Sequence, residues 1–340
     1  MSNIVLVTGI SGFLGGHVAL HLLKSGHQVR GSIRNLKTAD HVRKTMAHHG
    51  ADVEKLEIIA LDLTSDDGWA AAMDGVRYLI HTASPFVTSM PKDKMDLIGP
   101  AVDGTTRAIN AALDANVERI VLTSSLVAIM AGHDKAHPET FTAAHWTKYE
   151  SGEVNAYAQS KTRAEKRAWE LMDAADRQND LTVINPGLIF GPLLDRDPGT
   201  SGALVLRLLS GTIPAAPDFS FHIVDVRDLA TLHERALTNL EAAGTRLPVF
   251  NGELSVFEVS KAIANALPAY KNKMPRFQMP NWMVRLYALF DADVRGNLDS
   301  LGMRHKLDAS IAKSMLNNEM ISATDATIAM AQSQIDQKLV

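Results

Sequence analysis

Ile4-Val-Leu-Val-Thr8-Gly9-Ile-Ser-Gly12-Phe-Leu-Gly15 stands near the start of the chain and joins an apolar run to three glycines at intervals of three. The β-branched run predicts a buried strand, and the periodic residues that follow predict a helix. Glycines between a strand and a helix permit a tight turn and a close approach of the backbone to pyrophosphate. The helix start adds free N–H groups and a positive dipole end. The stretch therefore predicts a site for a phosphate-bearing cofactor, with an ordinary strand-to-helix turn as the alternative.

The alternation of strand and helix continues along the chain. Short apolar runs separated by longer helical patterns are typical of βαβ units and a parallel sheet. We predict strands at Ile4–Thr8, Gln28–Arg34, Leu56–Asp62, Tyr78–Ala83, Arg119–Ser125 and Leu181–Asn185. We predict helices at His17–Ser25, Thr38–His48, Gly104–Ala115 and Tyr157–Ala175.

The regular alternation ends after Gly191, where prolines interrupt the pattern. Two further strands are expected at Phe221–Val226 and Pro248–Asn251, followed by amphipathic helices in the tail. The predicted fold class is α/β, a Rossmann-type doubly wound parallel sheet with a smaller, mostly helical C-terminal substrate lobe. Residues 1–190 and about 221–252 would form the cofactor domain, and about 191–220 and 253–340 the lobe. The aromatic residues expected in the core of that lobe are Trp282, Tyr287 and Phe290.

Composition and charge exclude several classes of function. The chain has 340 residues with a net charge of −4, which does not indicate a nucleic-acid or anionic-membrane surface. It has no cysteine, so disulfides, cysteine zinc sites and thiol catalysis are excluded. Neither a signal peptide nor a membrane span is expected. These features predict a cytoplasmic protein without nucleic-acid or membrane partners.

A basic loop follows the second predicted strand, with Arg34 at its start and Lys37 nearby. An acidic residue at the end of this strand would hydrogen-bond the adenosine ribose of NAD, whereas an arginine can pair with the 2′-phosphate of NADP. Arg34 therefore predicts a preference for NADP(H), and a solvated basic loop is the alternative.

Tyr157 and Lys161 stand four residues apart in a predicted helix, which places both side chains on one face. An ammonium beside a phenol favours the tyrosinate, so the tyrosine can serve as a proton donor. Ser125 ends the fifth strand, where strand ends face the ligand crevice, and its hydroxyl can hydrogen-bond a carbonyl oxygen. The alternative is a surface Tyr–Lys pair and a helix-capping serine.

Seven stretches of the chain together resemble the extended short-chain dehydrogenases/reductases, in particular dihydroflavonol 4-reductases, cinnamoyl-CoA reductases and microbial aldehyde or methylglyoxal reductases. The stretches are Thr8-Gly-Ile-Ser-Gly-Phe-Leu-Gly15, His81-Thr-Ala-Ser-Pro-Phe86, Asp103-Gly-Thr105, Thr123-Ser-Ser125, Tyr157-Ala-Gln-Ser-Lys161, Asn185-Pro-Gly-Leu-Ile-Phe-Gly-Pro192 and Phe221-His-Ile-Val-Asp-Val-Arg-Asp228. The resemblance implies carbonyl reduction with NADP(H). It also implies a monomer or a homodimer that pairs through the helix carrying Tyr157.

The resemblance implies site roles residue by residue. Ser125 would polarise the substrate carbonyl, Tyr157 would be the general acid in reduction, and Lys161 would lower the tyrosine pKa and hold the nicotinamide ribose. Backbone groups around Pro186–Ile189 would bind the carboxamide. The full set of expected cofactor contacts is Gly9, Gly12, Phe13, Leu14, Gly15, Arg34, Lys37, Asp62, Leu63, Ala83, Ser84, Thr123, Tyr157, Lys161, Pro186, Leu188 and Ile189.

The substrate side is predicted to be apolar. Plant dihydroflavonol reductases resemble one another in an asparagine shortly after the catalytic serine, whereas this chain has the apolar run Leu126–Ala131. Met130, with Phe86 and Val87 opposite, would suit a small aldehyde, ketone, diketone or keto ester. Core packing is the alternative role for Met130. No metal site is expected, because His133, His137 and His145 fall in a polar loop.

Three alternative functions remain open. A nucleotide-sugar epimerase or dehydratase would share the fold, but Ser124-Ser125-Leu126 has no acidic pair for dehydration, and Arg34 argues against a tightly held NAD. A hydroxysteroid dehydrogenase is a further enzyme option. A non-catalytic NADP-sensing module would typically lose the tyrosine or the lysine.

Overall fold

The computed structural model describes residues 3–85, 93–133, 137–151, 154–290, 292–295 and 298–340. The strands are β1 (Ile4–Thr8), β2 (Gln28–Ile33), β3 (Leu56–Ala60), β4 (Val76–His81), β5 (Arg119–Thr123), β6 (Thr140–Phe141), β7 (Leu181–Pro186), β8 (Leu188–Phe190), β9 (Ser220–Asp225), β10 (Thr245–Val249), β11 (Glu253–Ser255) and β12 (Lys306–Leu307). The helices are α1 (Phe13–Lys24), α2 (Ala39–His48), α3 (Trp69–Met73), α4 (Met95–Asp114), α5 (Val127–Met130), α6 (Ala156–Ala174), α7 (Gly199–Leu209), α8 (Val226–Ala236), α9 (Val256–Ala266), α10 (Asn281–Tyr287), α11 (Ala292–Arg295), α12 (Ser310–Met315) and α13 (Ala323–Asp336).

A seven-stranded parallel sheet forms the centre of the molecule, in the order β10-β7-β5-β4-β1-β2-β3. Its strands are apolar because both faces are covered: Val5, Leu6 and Val7 of β1 are fully buried. The chain order reverses between β1 and β4, and the crevice at such a switch point is where doubly wound folds bind ligands. The predicted Rossmann-type sheet is confirmed.

Helices cover the two faces of this sheet. Core residues from α1, α2 and α8 pack on one face, and residues from α3, α4 and α6 pack on the other. Each helix buries its apolar stripe against the strands and leaves its polar side outward. The two layers pack against β1, β4 and β5, and the carboxyl ends of these strands carry most of the predicted site.

A second core lies beside the large sheet. A three-stranded sheet in the order β11-β9-β8 packs against α7, α9, α10 and α13. The strand β9 contributes Ile223 to this core and Val224 to the core of the large sheet. The strand therefore joins the two cores, and the predicted division of the chain into two domains stays a prediction.

The face that α10 turns toward the second core is not the aromatic face that the sequence predicts. It buries Val284 and Ala288, whereas Trp282, Tyr287 and Phe290 are 65%, 39% and 87% exposed. Residues four apart share a helix face, so burial of Val284 and Ala288 turns the aromatic residues outward. The prediction that these aromatics form the core of the lobe was wrong.

The described part of the chain contains no helix that is both long enough and apolar enough to cross a bilayer.

Candidate active site

The turn between β1 and α1 is built from backbone. Gly9 has φ +75°, a conformation that favours glycine, and its N–H donates to the carbonyl of Ser32 at 3.0 Å. A Cβ on Gly15 would lie 2.3 Å from the carbonyl oxygen of Gly9. Helix α1 can therefore approach the turn this closely only because position 15 is glycine.

The start of α1 fits a phosphate group. Gly12 is the N-cap residue, and no side chain caps the first turn. The N–H groups at a helix start lack partners within the helix and carry a positive dipole end, which suits an anion. The residues present thus fit the pyrophosphate of a dinucleotide.

A cleft of about 710 Å³ runs along the carboxyl ends of the strands from this turn to Met130. Its wall brings together most of the predicted site residues: Gly9, Gly12, Phe13, Leu14, Gly15, Arg34, Asp62, Leu63, Ala83, Ser84, Thr123, Ser125, Met130, Tyr157, Lys161, Pro186, Leu188 and Ile189. Lys37 is exposed and is not among the wall residues. Phe86 and Val87 lie outside the described residues.

The end of the cleft near β2 carries opposite charges. Arg34 is exposed on the wall. Asp62 accepts hydrogen bonds from the N–H and the hydroxyl of Thr64 at 2.8 and 2.7 Å. These bonds, with a smaller contribution from the Arg34 charge, hold the pKa of Asp62 below its ordinary value. This end can accept a group that carries both hydroxyl and phosphate functions.

Tyr157 is positioned by the start of α6. The Asn155 side chain accepts a hydrogen bond from the N–H of Ala158 at 2.9 Å and so caps the helix. The cap places Tyr157 in the first turn, where 36% of the residue remains exposed in the cleft. Surrounding protein raises the pKa of Tyr157, and its hydrogen bond with the Ser125 side chain opposes this rise. Ser125 and Tyr157 of the predicted triad line the same cleft.

Lys161 lies one turn further along α6 and points across the cleft floor. Its Nζ donates to Ser84 Oγ at 3.2 Å. Burial lowers the pKa of Lys161 from 10.5 to about 8, and the Glu165 carboxylate opposes that change. Burial of Tyr157 has the largest effect on the pKa of this tyrosine and raises it. The expectation that Lys161 lowers the Tyr157 pKa therefore stays a prediction.

The segment expected to bind the carboxamide has several of its backbone groups already engaged. The Pro186 carbonyl accepts from Leu126 N–H at 2.9 Å, and Ile189 N–H donates to Ser201 Oγ at 3.2 Å. On the adjacent wall, Thr123 Oγ1 hydrogen-bonds with His233 Nε2 at 2.8 Å. The carboxamide role of this segment stays a prediction.

Met130 combines the two roles considered for it. Its side chain packs against a small core of Leu126, Ile129 and Phe141, and the residue also lines the cleft. Helix α5 places it directly after the Ser125 turn. Met130 can therefore shape the cleft, and replacing it would also disturb this core.

The cleft has a further wall that sequence reasoning missed. It consists of polar and aromatic residues from the segment before α7, from the start of α7 and from β9: Asp197, Thr200, Ser201, Ser220, Phe221 and His222. Burial, with a contribution from His305, lowers the pKa of His222 to about 4, so the imidazole is neutral at pH 7. The stretch 221–228 supported the family resemblance, but nothing in its local pattern indicated that it faces the cleft.

The loop histidines surround an aromatic ring. His133, His137 and His145 have ring centroids 4.9, 6.0 and 5.6 Å from that of Phe141. In the part of the chain that the structure describes, no three histidine or carboxylate side chains are placed to hold a metal ion.

Comparison with known proteins identifies the lineage of this fold. A model of the NAD dependent epimerase/dehydratase family matches residues 5–251. The chain is similar to the NADPH-dependent methylglyoxal reductase GRE2 of Saccharomyces cerevisiae, at 31% identity over 297 residues, covering 80% of this chain and 84% of that protein. It is also similar to cinnamoyl-CoA reductase 1 of Petunia hybrida, at 34% identity over 249 residues, covering 72% of each.

Solved structures agree with these matches. The crystal structure of yeast methylglyoxal/isovaleraldehyde reductase Gre2 complexed with NADPH has a TM-score of 0.79 and 25% identity, covering 98% of this chain and 99% of that chain. The likeness spans both cores, and the family model spans all seven strands of the large sheet. The chain therefore belongs to the NAD-dependent epimerase/dehydratase family, the extended branch of the short-chain dehydrogenases/reductases.

Proposed function

We propose that this protein is an NADPH-dependent carbonyl reductase that converts an aldehyde or ketone to an alcohol with Ser125, Tyr157 and Lys161. The relatives confirm the predicted class, an NADP-dependent oxidoreductase acting on C=O or CH–OH groups, and the predicted cofactor. The observation that carries the triad is that one cleft wall brings Ser125, Tyr157 and Lys161 together, with Tyr157 and Lys161 one helical turn apart on α6.

The raised pKa of Tyr157 keeps its hydroxyl protonated at neutral pH. When bound, NADPH supplies the hydride. The hydroxyl of Ser125 binds the carbonyl oxygen, and the Tyr157 hydroxyl gives its proton to that oxygen as negative charge develops there. A tyrosine that stays protonated at neutral pH is ready to act as the acid in reduction.

Lys161 supports the same step by its charge. Its ammonium lies on the tyrosine side of the cleft, where it would stabilise the tyrosinate left after proton transfer and hold the nicotinamide ribose hydroxyls. With a pKa of about 8, the ammonium form predominates at pH 7 and is lost above pH 8. The alkaline limb of the rate profile is therefore expected near this pH.

Two further proposals concern the ends of the cleft. Arg34 would pair with the 2′-phosphate and favour NADPH over NADH. The apolar wall formed by Leu126, Val127, Met130 and Phe221 supports a small or moderately sized apolar carbonyl substrate. A panel of aldehydes, diketones, keto esters, aryl ketones and dihydroflavonols, each tested for NADPH consumption, would identify the class.

The triad is tested by Tyr157→Phe, which removes the proton donor and keeps the ring. We expect kcat to fall by about 10²–10⁴-fold, with the Kd for NADPH changed by less than about threefold, because the ring still packs in the same place. Stopped-flow reduction and NADPH fluorescence titration measure the two quantities. Tyr149→Phe, at a partly buried tyrosine before the same helix, is the matched control. Near-normal turnover by Tyr157→Phe would refute the triad.

An epimerase of the same family would retain its NAD through purification. Release of the cofactor by acid and measurement of its absorbance would separate the two functions. Stoichiometric bound NAD, with no carbonyl-dependent consumption of NADPH, would favour the epimerase.

A further inference from the structure

Glu165 is a buried carboxylate one helical turn after Lys161, and the proposed chemistry gives it no role. The residue is 1% exposed. Its Oε2 accepts hydrogen bonds from Ser124 Oγ at 2.5 Å and Asn185 Nδ2 at 2.8 Å. Its Oε1 accepts from Arg246 Nε at 2.5 Å. A carboxylate removed from water in this way depends on its partners to compensate its charge.

Arg246 extends from β10 and is held independently of Glu165. Its Nη1 donates to the carbonyls of Ala143 and His145 at 2.8 and 2.5 Å. The guanidinium also lies 3.7 Å from the centroid of the Trp146 ring. The planar group is therefore fixed by the surrounding structure, and its Nε–H is aimed at the carboxylate of Glu165.

Stability alone is a poor explanation for this pair. The cost of removing two charges from water largely cancels their attraction, so apolar residues of the same size would stabilise the fold about as well. A buried charged pair beside a reaction centre therefore points to a role in the reaction.

The first connection to the reaction passes through the Ser125 turn. Asn185 Nδ2, which donates to Glu165, also donates to the backbone carbonyl of Ser125 at 3.2 Å. Ser124, the other donor to Glu165, is the neighbour of Ser125 in the chain. The carboxylate thus holds the turn from two points and limits the movement of the Ser125 hydroxyl.

The second connection is to Lys161. Both side chains line a cavity of about 20 Å³, room for roughly one water molecule, together with His81 of β4 and the uncharged Thr105 of α4. Burial and the Lys161 charge lower the pKa of His81 to about 3, so its imidazole is neutral. Among the described groups that face Lys161, Glu165 is the anion that favours the ammonium.

We propose, on the basis of the reductase function above, that Glu165 is a positioning residue that fixes Ser125 and keeps Lys161 charged, and that Arg246 orients its carboxylate. Glu165 touches neither substrate nor cofactor in this assignment. It acts through Asn185 and Ser124 on one side and through the Lys161 ammonium on the other.

Chemical labelling of Lys161 without cofactor tests the electrostatic half of the proposal. Acetic anhydride acetylates the neutral form of the Lys161 amine. The extent of acetylation can be read from the tryptic peptide of residues 149–163, because Lys161 is the only lysine in it. We expect a reactivity midpoint near pH 8 in the unaltered protein. In Glu165→Gln it should fall by about one pH unit, because the charge that favours the ammonium is gone. Glu170→Gln, at an exposed glutamate of the same helix, should leave it unchanged.

The pH dependence of kcat tests the link to catalysis. In Glu165→Gln the alkaline limb should move down with the labelling midpoint. The smaller ammonium fraction then gives about a fivefold loss of kcat at pH 8, and this part of the loss should recover near pH 6. Arg246→Gln should also move both midpoints downward, because a buried carboxylate that has lost its charged partner takes up a proton. General loosening of the fold would move the midpoints upward instead, because burial is what lowers the Lys161 pKa. A downward shift in either variant therefore follows from the positioning role, and one variant suffices if the other does not fold.

The outcomes separate the two proposals. An unchanged labelling midpoint in folded Glu165→Gln, or a loss of kcat that is equal at every pH, would overturn the role of Glu165 in an active reductase. A normal labelling shift in a protein that oxidises NADPH with none of the carbonyl compounds would overturn the reductase function, and the positioning role with it.

Discussion

The wall of the cleft consists of main-chain groups at one end and of side chains at the other. Around the glycine turn the wall is main chain, contributed by one stretch of residues 9–15 and fixed by hydrogen bonds to β2. Around Met130 the wall is side chains, contributed by α5, α7 and β9, which are far apart in the chain. A backbone wall offers the same groups whatever the side chains are, whereas a side-chain wall changes with each substitution. The first suits a constant ligand such as a pyrophosphate, and the second suits a variable substrate.

The two ends also differ in what determines them. The turn follows from local rules, since a left-handed Gly9 and a Gly15 without room for a Cβ are properties of a short segment. The substrate end follows from how the second core packs on the first. This contrast predicts large effects on cofactor binding at one end and modest effects on substrate choice at the other.

Gly15→Ala should give the largest effect. The new Cβ would lie 2.3 Å from the Gly9 carbonyl oxygen, so the turn has to move away from the helix start. We expect the Kd for NADPH to rise about 100-fold, equivalent to roughly 2.7 kcal/mol, together with a lower melting temperature. Gly99→Ala is the control, because the space around that position in α4 is open. Unchanged NADPH binding in Gly15→Ala would show that the cofactor end of the cleft does not depend on the backbone of the glycine turn.

Arg34→Gln should give an intermediate effect. Loss of a charge-assisted contact with the 2′-phosphate is expected to lower kcat/KM for NADPH by about 10–100-fold, while kcat/KM for NADH changes little. The ratio of the two constants is the measurement. Lys37→Gln, at an exposed position outside the cleft wall, should change the ratio less than about threefold. Equal use of NADH and NADPH by the unaltered protein would contradict the role given to Arg34.

Met130→Ala should give the smallest effect and the most specific one. Shortening this side chain widens the substrate end, so kcat/KM for an aryl ketone should rise by about 3–10-fold relative to a small aldehyde. Ile129→Val removes volume from the same small core at a fully buried position, and it should lower stability without changing the order of substrates. An identical substrate order in Met130→Ala and the parent protein would show that Met130 serves packing alone.

Local patterns predicted the large sheet and helix α6. The six strands expected in the first 185 residues of the chain all form, and α6 begins at Ala156, one residue before the predicted start, with Asn155 as its cap. These elements succeed because apolar runs, glycine turns and a capping residue act over a few residues. For the same reason, most predicted site residues, which come from strand ends, meet in one cleft.

Other features depend on contacts distant in sequence. Helix α4 begins at Met95, nine residues before the predicted Gly104, and Gly99 and Pro100 inside it hide the helical pattern. The outward face of Trp282 is set by the packing of Val284. His222 and Arg246 reach the site region from β9 and β10, near the end of the sheet-forming part of the chain. No periodicity in the sequence indicates which side chains a strand will contact when they are distant in the chain. Their roles could be found only from the three-dimensional arrangement.

The contact between Arg246 and Glu165 has a consequence for synthesis of the chain. Strand β10 is the last strand added to the large sheet and lies at its edge, so the guanidinium arrives after the ribosome has made all three residues of the proposed triad. A nascent chain that ends before β10 would carry Glu165 with its negative charge unmatched, in a helix that must then stay partly open to water. Folding of this region is therefore expected to finish late, and the emerging enzyme would stay inactive until its outermost strand docks.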